Sequence, residues 1–167
     1  MPRVNGAGAG RLSLYRGDEP GARVLAGVTL CAMLAFTVAA LGTPIEAGTV
    51  RVVDGDTIEA RGSVWRLVGF DAPETGRRAQ CSIEGERGVA ARARLVAIIA
   101  GGGLDLEPVA CSCRPGTEGT PACNHGRLCG TLRARGRDVG ATLISEGLAR
   151  PYVCGPRSCP TRLRWCE

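Results

Sequence analysis

No lysine occurs in the chain, so all 21 basic residues other than the single histidine are arginine, and the formal net charge is +5. The same sequence holds 25 glycines and much alanine, so the absence fits a coding bias toward G and C. One arginine taken alone is therefore weak evidence of function. What the absence excludes is a lysine-type base, because arginine does not lose its charge; each guanidinium can instead grip phosphate through two parallel hydrogen bonds. Aromatic residues are also scarce, at 4%. Beyond the N-terminal region only Trp65, Phe70, Tyr152 and Trp165 remain. That is too few for the stacking platforms by which single strands are held without being cut. No internal repeat is visible.

The N-terminal region has a different composition. Residues 24–41, "VLAGVTLCAMLAFTVAAL", are 18 residues without a charge, preceded by Arg3, Arg11, Arg16 and Arg23. A basic segment followed by an apolar run reads as an export signal. The run is longer than a usual signal core and just long enough to span a membrane. Residues 1–47 are thus expected to be a signal peptide, cleaved near Gly42 or Ala47, or an uncleaved signal anchor. The protein is exported on either reading: periplasmic or secreted, or membrane-anchored through residues 24–41. Cys31 follows "VTL", which lacks the small residue of a lipoprotein signal, so lipidation is not expected.

Of nine cysteines, eight lie beyond that region: Cys81, Cys111, Cys113, Cys123, Cys129, Cys154, Cys159 and Cys166. An even number in an exported chain reads as a disulfide framework, and eight cysteines allow 105 connectivities, which sequence does not resolve.

The remaining 120 or so residues suffice for one modest core. "TVRVVD" (49–54) alternates and is β-branched, so it reads as a strand. "DTIEA" (56–60) continues as a second strand after an Asp-Gly bend, "RGS" is a turn, and "VWRLVGF" (64–70) is a third. Residues 84–100 place Val89, Ala93, Val96 and Ala97 at helical spacing, and "GGG" at 101–103 stops that helix. "LDLEPVAC" and "RLCGTLRA" read as a fourth and a fifth strand around a polar loop, and residues 138–147 as a short helix. The tail from Cys154 has no period and is expected to be held by disulfides. Three strands, a helix, two strands and a helix suggest an α+β fold: a small five-stranded barrel of OB type with helices.

One short stretch asks for an explanation. "VDGDT" (53–57) sets Asp54 and Asp56 on either side of a glycine in a strand-like run, where Asp and Gly are disfavoured. A turn alone accounts for a lone "DGD". Taken with "RLVGFDAPET" (66–75), "GR" (126–127) and "LISEGLARPY" (143–152), in that order and with an interval of five from Arg66 to Asp71, the stretch resembles the staphylococcal nuclease-like (thermonuclease) domain family. The resemblance covers residues 48–153, with an enlarged loop at 111–126 and a Cys-rich tail at 154–167.

The resemblance implies a calcium-dependent nuclease acting on DNA or RNA, working as a monomer. It implies that Asp56 and Asp71 are carboxylate ligands of calcium, with the backbone carbonyl of Ala72 a further ligand and Asp54 a nearby carboxylate. Glu74 corresponds to the residue that activates water, and Arg66 and Arg127 to the pair that holds the scissile phosphate. His125 stands where a tyrosine is common and is expected to donate to substrate phosphate. Tyr152 matches a tyrosine near the nucleotide-binding face. The family's long C-terminal helix is absent.

The chemistry of these residue types agrees with that reading. A phosphodiester is anionic and repels a hydroxide-like nucleophile, so cleavage needs charge neutralisation and a positioned water. A hard cation held by oxygen ligands can supply both, and arginine forks stabilise charge on the equatorial oxygens. Two alternatives stand beside it. Cys111, Cys113, Cys123 and His125 form C-x-C…C-x-H, which could close a structural zinc site. A non-catalytic nucleic-acid- or protein-binding module of the same fold is the other. Such modules usually lose the acidic cluster that this chain keeps. A membrane or wall structural role explains the leader and cysteines but not the Asp, Glu and Arg set.

Overall fold

The computed structural model describes residues 42–166; the expected signal or anchor run at 24–41 and Cys31 lie outside them. Among these residues nine strands and two α-helices follow in chain order. They are β1 (Thr43–Ile45), β2 (Arg51–Asp54), β3 (Thr57–Ala60), β4 (Ser63–Leu67), β5 (Gly69–Asp71), α1 (Ser82–Ala100), β6 (Leu104–Val109), β7 (Leu128–Ala134), β8 (Arg137–Asp138), α2 (Val139–Ser145) and β9 (Arg150–Tyr152). Most of the strands form one curled mixed sheet in the order β1-β6-β7-β4-β3-β2, with β8 against β7, while β5 and β9 pair separately. All its ladders are antiparallel except β4–β7. With two helices packed on it, this is an α+β half-barrel.

Strands β2, β3, β4, β6 and β7 form where alternation predicts them. In β4, Trp65 and Leu67 enter the core and Arg66 faces the other way; in β6, Leu104 and Leu106 do the same between Asp105 and Glu107. Ile58, Leu95, Leu132 and Leu143 complete the centre of the core. The expected third strand breaks in two, because Gly69 adopts φ +91, a conformation side chains rarely take, and turns β5 out of the main sheet. There it pairs with β9, Asp71 opposite Arg150. Phe70 carries the seat of α2: a Cβ on Gly140 would lie 2.3 Å from the Phe70 ring, so only glycine admits this contact.

The apolar face expected for the first helix needs correction. Val89, Ala93, Val96 and Ala97 face outward, and Gly88, Ala91, Leu95 and Ile99 face the core. Both stripes have helical spacing; the one with Leu95 and Ile99 fills the half-barrel, while the other ends in small side chains. Residues Thr43–Ile45, ahead of the expected start at 48, pair with Leu104–Leu106.

The eight cysteines form four disulfides: Cys81–Cys166, Cys111–Cys129, Cys113–Cys123 and Cys154–Cys159. Four such bonds mark a chain that folds under oxidising conditions, as exported proteins do. They also leave Cys111, Cys113 and Cys123 no thiolate for zinc, so the C-x-C…C-x-H alternative gives way to two disulfides. No helix among the described residues is long and apolar enough to cross a membrane.

Candidate functional site

Asp54, Gly55 and Asp56 form the tight connection between β2 and β3. Gly55 has to be glycine because a Cβ there would lie 2.6 Å from the Cβ of Ala72 and 3.0 Å from that of Ala91. The turn is therefore pressed between β5 and α1, and both aspartates are buried, Asp54 at 5% and Asp56 at 7% exposure. Asp54 Oδ1 accepts the Asp56 N–H at 3.2 Å. Asp56 Oδ2 accepts the Ala72 N–H at 3.0 Å and faces Arg66 Nη1 at 3.0 Å. Burial, opposed by Arg66 and reinforced by Asp54 and Asp71, pushes the Asp56 carboxyl up to about 6.

Asp71 reaches the same place from the end of β5 and is 4% exposed. Arg66 ties the two strands together. It donates to the carbonyl oxygens of Leu67 and Phe70 and reaches Asp71 Oδ1 at 3.4 Å. Arg127 arrives from far along the chain, carried by the parallel pairing of β7 with β4, and donates to Thr57 Oγ1 at 3.3 Å across 70 residues. Burial, with Arg66 nearby, draws its pKa down from the ordinary arginine value.

These groups line one cleft of about 200 Å³, bounded by Asp54, Asp56, Arg66, Asp71, Glu74, Arg78, His125, Arg127 and Arg162. Seven of the residues singled out in the sequence thus meet at one spot, although they come from three separated segments. Tyr152 does not face the cleft. It borders an adjoining cavity of about 450 Å³ together with Arg66, Phe70 and two disulfides, and its hydroxyl donates to the Pro160 carbonyl oxygen at 2.7 Å.

Several residues that shape the cleft carry no motif. Glu84, only 4% exposed, accepts the backbone N–H groups of Glu74 at 3.3 Å and Gln80 at 2.7 Å, so it clamps the loop that bears Glu74. Its place three residues after the helix N-cap, Cys81, is the one trace of that role in the sequence. Asn124, His125 and Gly126 all take positive φ, at 50, 58 and 78. That tight reversal lets Asn124 hold Arg127 twice, through its backbone oxygen at 3.1 Å and its side-chain oxygen at 2.8 Å. Arg78 bridges Asp54 at 2.7 Å and Glu74 at 3.1 Å.

Arg162 enters from the tail. It meets Asp71 Oδ1 at 2.8 Å, Glu74 Oε1 at 2.7 Å and the Ala72 carbonyl oxygen at 3.2 Å. Burial works against its charge, but the hydrogen bond to Glu74 and the charge of Asp71 outweigh it and raise its pKa.

Whether the cleft suits a cation follows from its donors. They are carboxylate and carbonyl oxygens, the chemistry of a hard ion such as calcium; the Asp56 carboxyl is raised first by burial, with the neighbouring Asp54 and Asp71 charges adding to it. Among the described residues no three His, Cys, Asp or Glu side chains already stand as a metal shell, because guanidinium groups lie between the carboxylates. The donor types are those a hard cation takes, with guanidinium groups standing between the carboxylates. No protein-family model and no curated protein matches the chain.

Proposed function

We propose that the protein is an exported, calcium-dependent nuclease that hydrolyses phosphodiester bonds of DNA or RNA on an OB-like barrel of the staphylococcal nuclease type. One observation carries the reading: Arg66, Arg127, Glu74 and the three aspartates, drawn from distant segments, line a single cleft. A chance scatter of turn-forming aspartates and solvated arginines would not converge in this way. Asp56, Asp71 and the Ala72 carbonyl would hold the calcium, with Asp54 behind them. The ion supplies charge neutralisation at the phosphate and a site for water.

The chain's own residues do the rest. Arg66 and Arg127 offer guanidinium forks to the non-bridging phosphate oxygens, and their hold tightens as charge builds there. Glu74 takes the proton from the attacking water as its oxygen bonds to phosphorus and the bond to the leaving ester oxygen breaks. His125, on the rim, is placed to donate to a neighbouring phosphate. Tyr152 and its cavity leave room for a flanking base beside Arg66. The protein acts as a monomer on this reading.

The rival reading, a binding module that does not cut, has one observation in its favour: both Glu74 oxygens are engaged by arginines. A gel assay on DNA and on RNA, with calcium and then with excess chelator, separates the two. Cleavage in calcium that stops in chelator is expected. Binding without cleavage, or full cleavage in chelator, overturns the proposal.

A further inference from the structure

We infer that Arg162 is an internal occupant of the cation seat, and that the C-terminal tail is an autoinhibitory strap that a divalent cation must displace. The inference rests on the reading of Asp71 and the Ala72 carbonyl as calcium ligands. The three acceptors of Arg162 are those two groups and Glu74. A guanidinium bonded to all three and a cation ligated by two of them exclude each other.

The charges in the cleft point the same way. It is lined by four carboxylates, Asp54, Asp56, Asp71 and Glu74, and by four guanidinium groups, Arg66, Arg78, Arg127 and Arg162. With Arg162 seated the two sets balance, and among the described residues no buried side-chain nitrogen or oxygen lacks a hydrogen-bond partner. When Arg162 leaves, Asp71 and Glu74 lose their closest counter-charge from the tail and the cleft is left one positive charge short. That is the state which takes up a cation.

The tail is built to hold Arg162 at this place while leaving it free to go. Cys81–Cys166 ties its end to the start of α1, and Cys154–Cys159 closes its beginning. Trp165 is buried at 4% exposure, lies under Arg150 at 4.1 Å, and donates from Nε1 to Asp71 Oδ2 at 3.4 Å. Between these anchors, residues 160–164 are exposed and Arg162 keeps 42% of its side chain in solvent. The covalent anchors keep the arginine close at hand, and only non-covalent contacts seat it.

A strap seated about nine-tenths of the time lowers apparent cation affinity about tenfold, since only the open fraction binds. The test is calorimetric titration of the disulfide-intact chain with calcium chloride, comparing the parent with Arg162→Gln and with Arg157→Gln. Arg157 lies on the same exposed tail and controls for lost charge. The expected result is an affinity at least tenfold tighter in Arg162→Gln and within about twofold of the parent in Arg157→Gln. Equal affinity in all three, or equal tightening in both variants, overturns the strap and leaves the calcium site standing. No binding by any of them up to roughly 10 mM, beyond the range of extracellular calcium modules, overturns the calcium reading and the strap together.

Discussion

Gly88 offers the sharpest purely structural test of how Glu74 is placed. It lies inside α1, where glycine costs about 1 kcal/mol relative to alanine. Helix propensity alone therefore predicts that Gly88→Ala stabilises. The packing predicts the opposite. A Cβ at Gly88 would lie 2.3 Å from the Glu74 carbonyl oxygen and 2.8 Å from the Pro73 carbonyl oxygen, both of them backbone. Relieving that contact requires helix and loop to part by about 1 Å, and such overpacking typically costs about 1–3 kcal/mol. Gly85, one turn earlier, supplies the comparison: its added Cβ would meet only the Cβ of Ala79, at an ordinary 3.5 Å. Gly85→Ala should gain the full propensity term. The difference between the two variants isolates the contact at about 1–3 kcal/mol, or roughly 4 °C of melting temperature for each kcal/mol in a domain of this size. Thermal unfolding followed by circular dichroism reads it directly. A shift of about 1 Å at Glu74 should also lower turnover of the proposed reaction roughly 100-fold, which Gly85→Ala should not do. If both variants raise the melting temperature by the same amount, the helix does not press on the Glu74 loop, and the account of how that carboxylate is held is wrong.

Other substitutions probe roles and anchors. Glu74→Gln should lower single-turnover cleavage about 100- to 10,000-fold with substrate affinity nearly unchanged. Arg66→Ala and Arg127→Ala should each cost on the order of 100- to 1,000-fold in rate with a smaller loss of binding, because many other arginines attract the backbone. Parent-like cleavage by Glu74→Gln would remove it as the water-activating group. Replacing Cys81 and Cys166 together by serine opens a bridge across 85 residues, which should cost about 2–5 kcal/mol in urea unfolding; an unchanged midpoint would mean that the tail is held by its packing alone.

Elements with their own local pattern were legible in the sequence. The strands around Val52, Ile58, Trp65, Leu106 and Leu132 alternate, and both helices have the expected period and stop. The elements that went unseen depend on partners. β9 contains Pro151 and spans only three residues, so nothing local marks it as a strand; it exists because β5 lies opposite. The break at Gly69 was hidden because a glycine within "VWRLVGF" looks like one more strand residue until its positive φ is seen. The face of α1 was misread because two apolar stripes share one period, and only the width of the half-barrel chooses between them. Disulfide pairing belongs to the same class: Cys81 and Cys166 are far apart in the chain, and no spacing rule joins them.

The candidate site divides in the same way. Its carboxylates and two of its arginines stand in short, ordered motifs, and they were found. The groups that balance their charge, Arg78 and Arg162, have no motif, since any arginine that the fold brings within reach will serve. In a chain whose basic residues are all arginine, composition gives no way of choosing among them. Yet that composition bears on the chemistry of the seat. Arg162 reaches Asp71 through Nε, Glu74 through Nη1 and the Ala72 carbonyl through Nη2. Three separate nitrogens span three acceptors, with the plane of the group fixing their directions. A lysine ammonium has one nitrogen and would crowd toward one carboxylate, leaving the others unpaired. The fork is therefore what allows a single tail residue to meet all three acceptors at once.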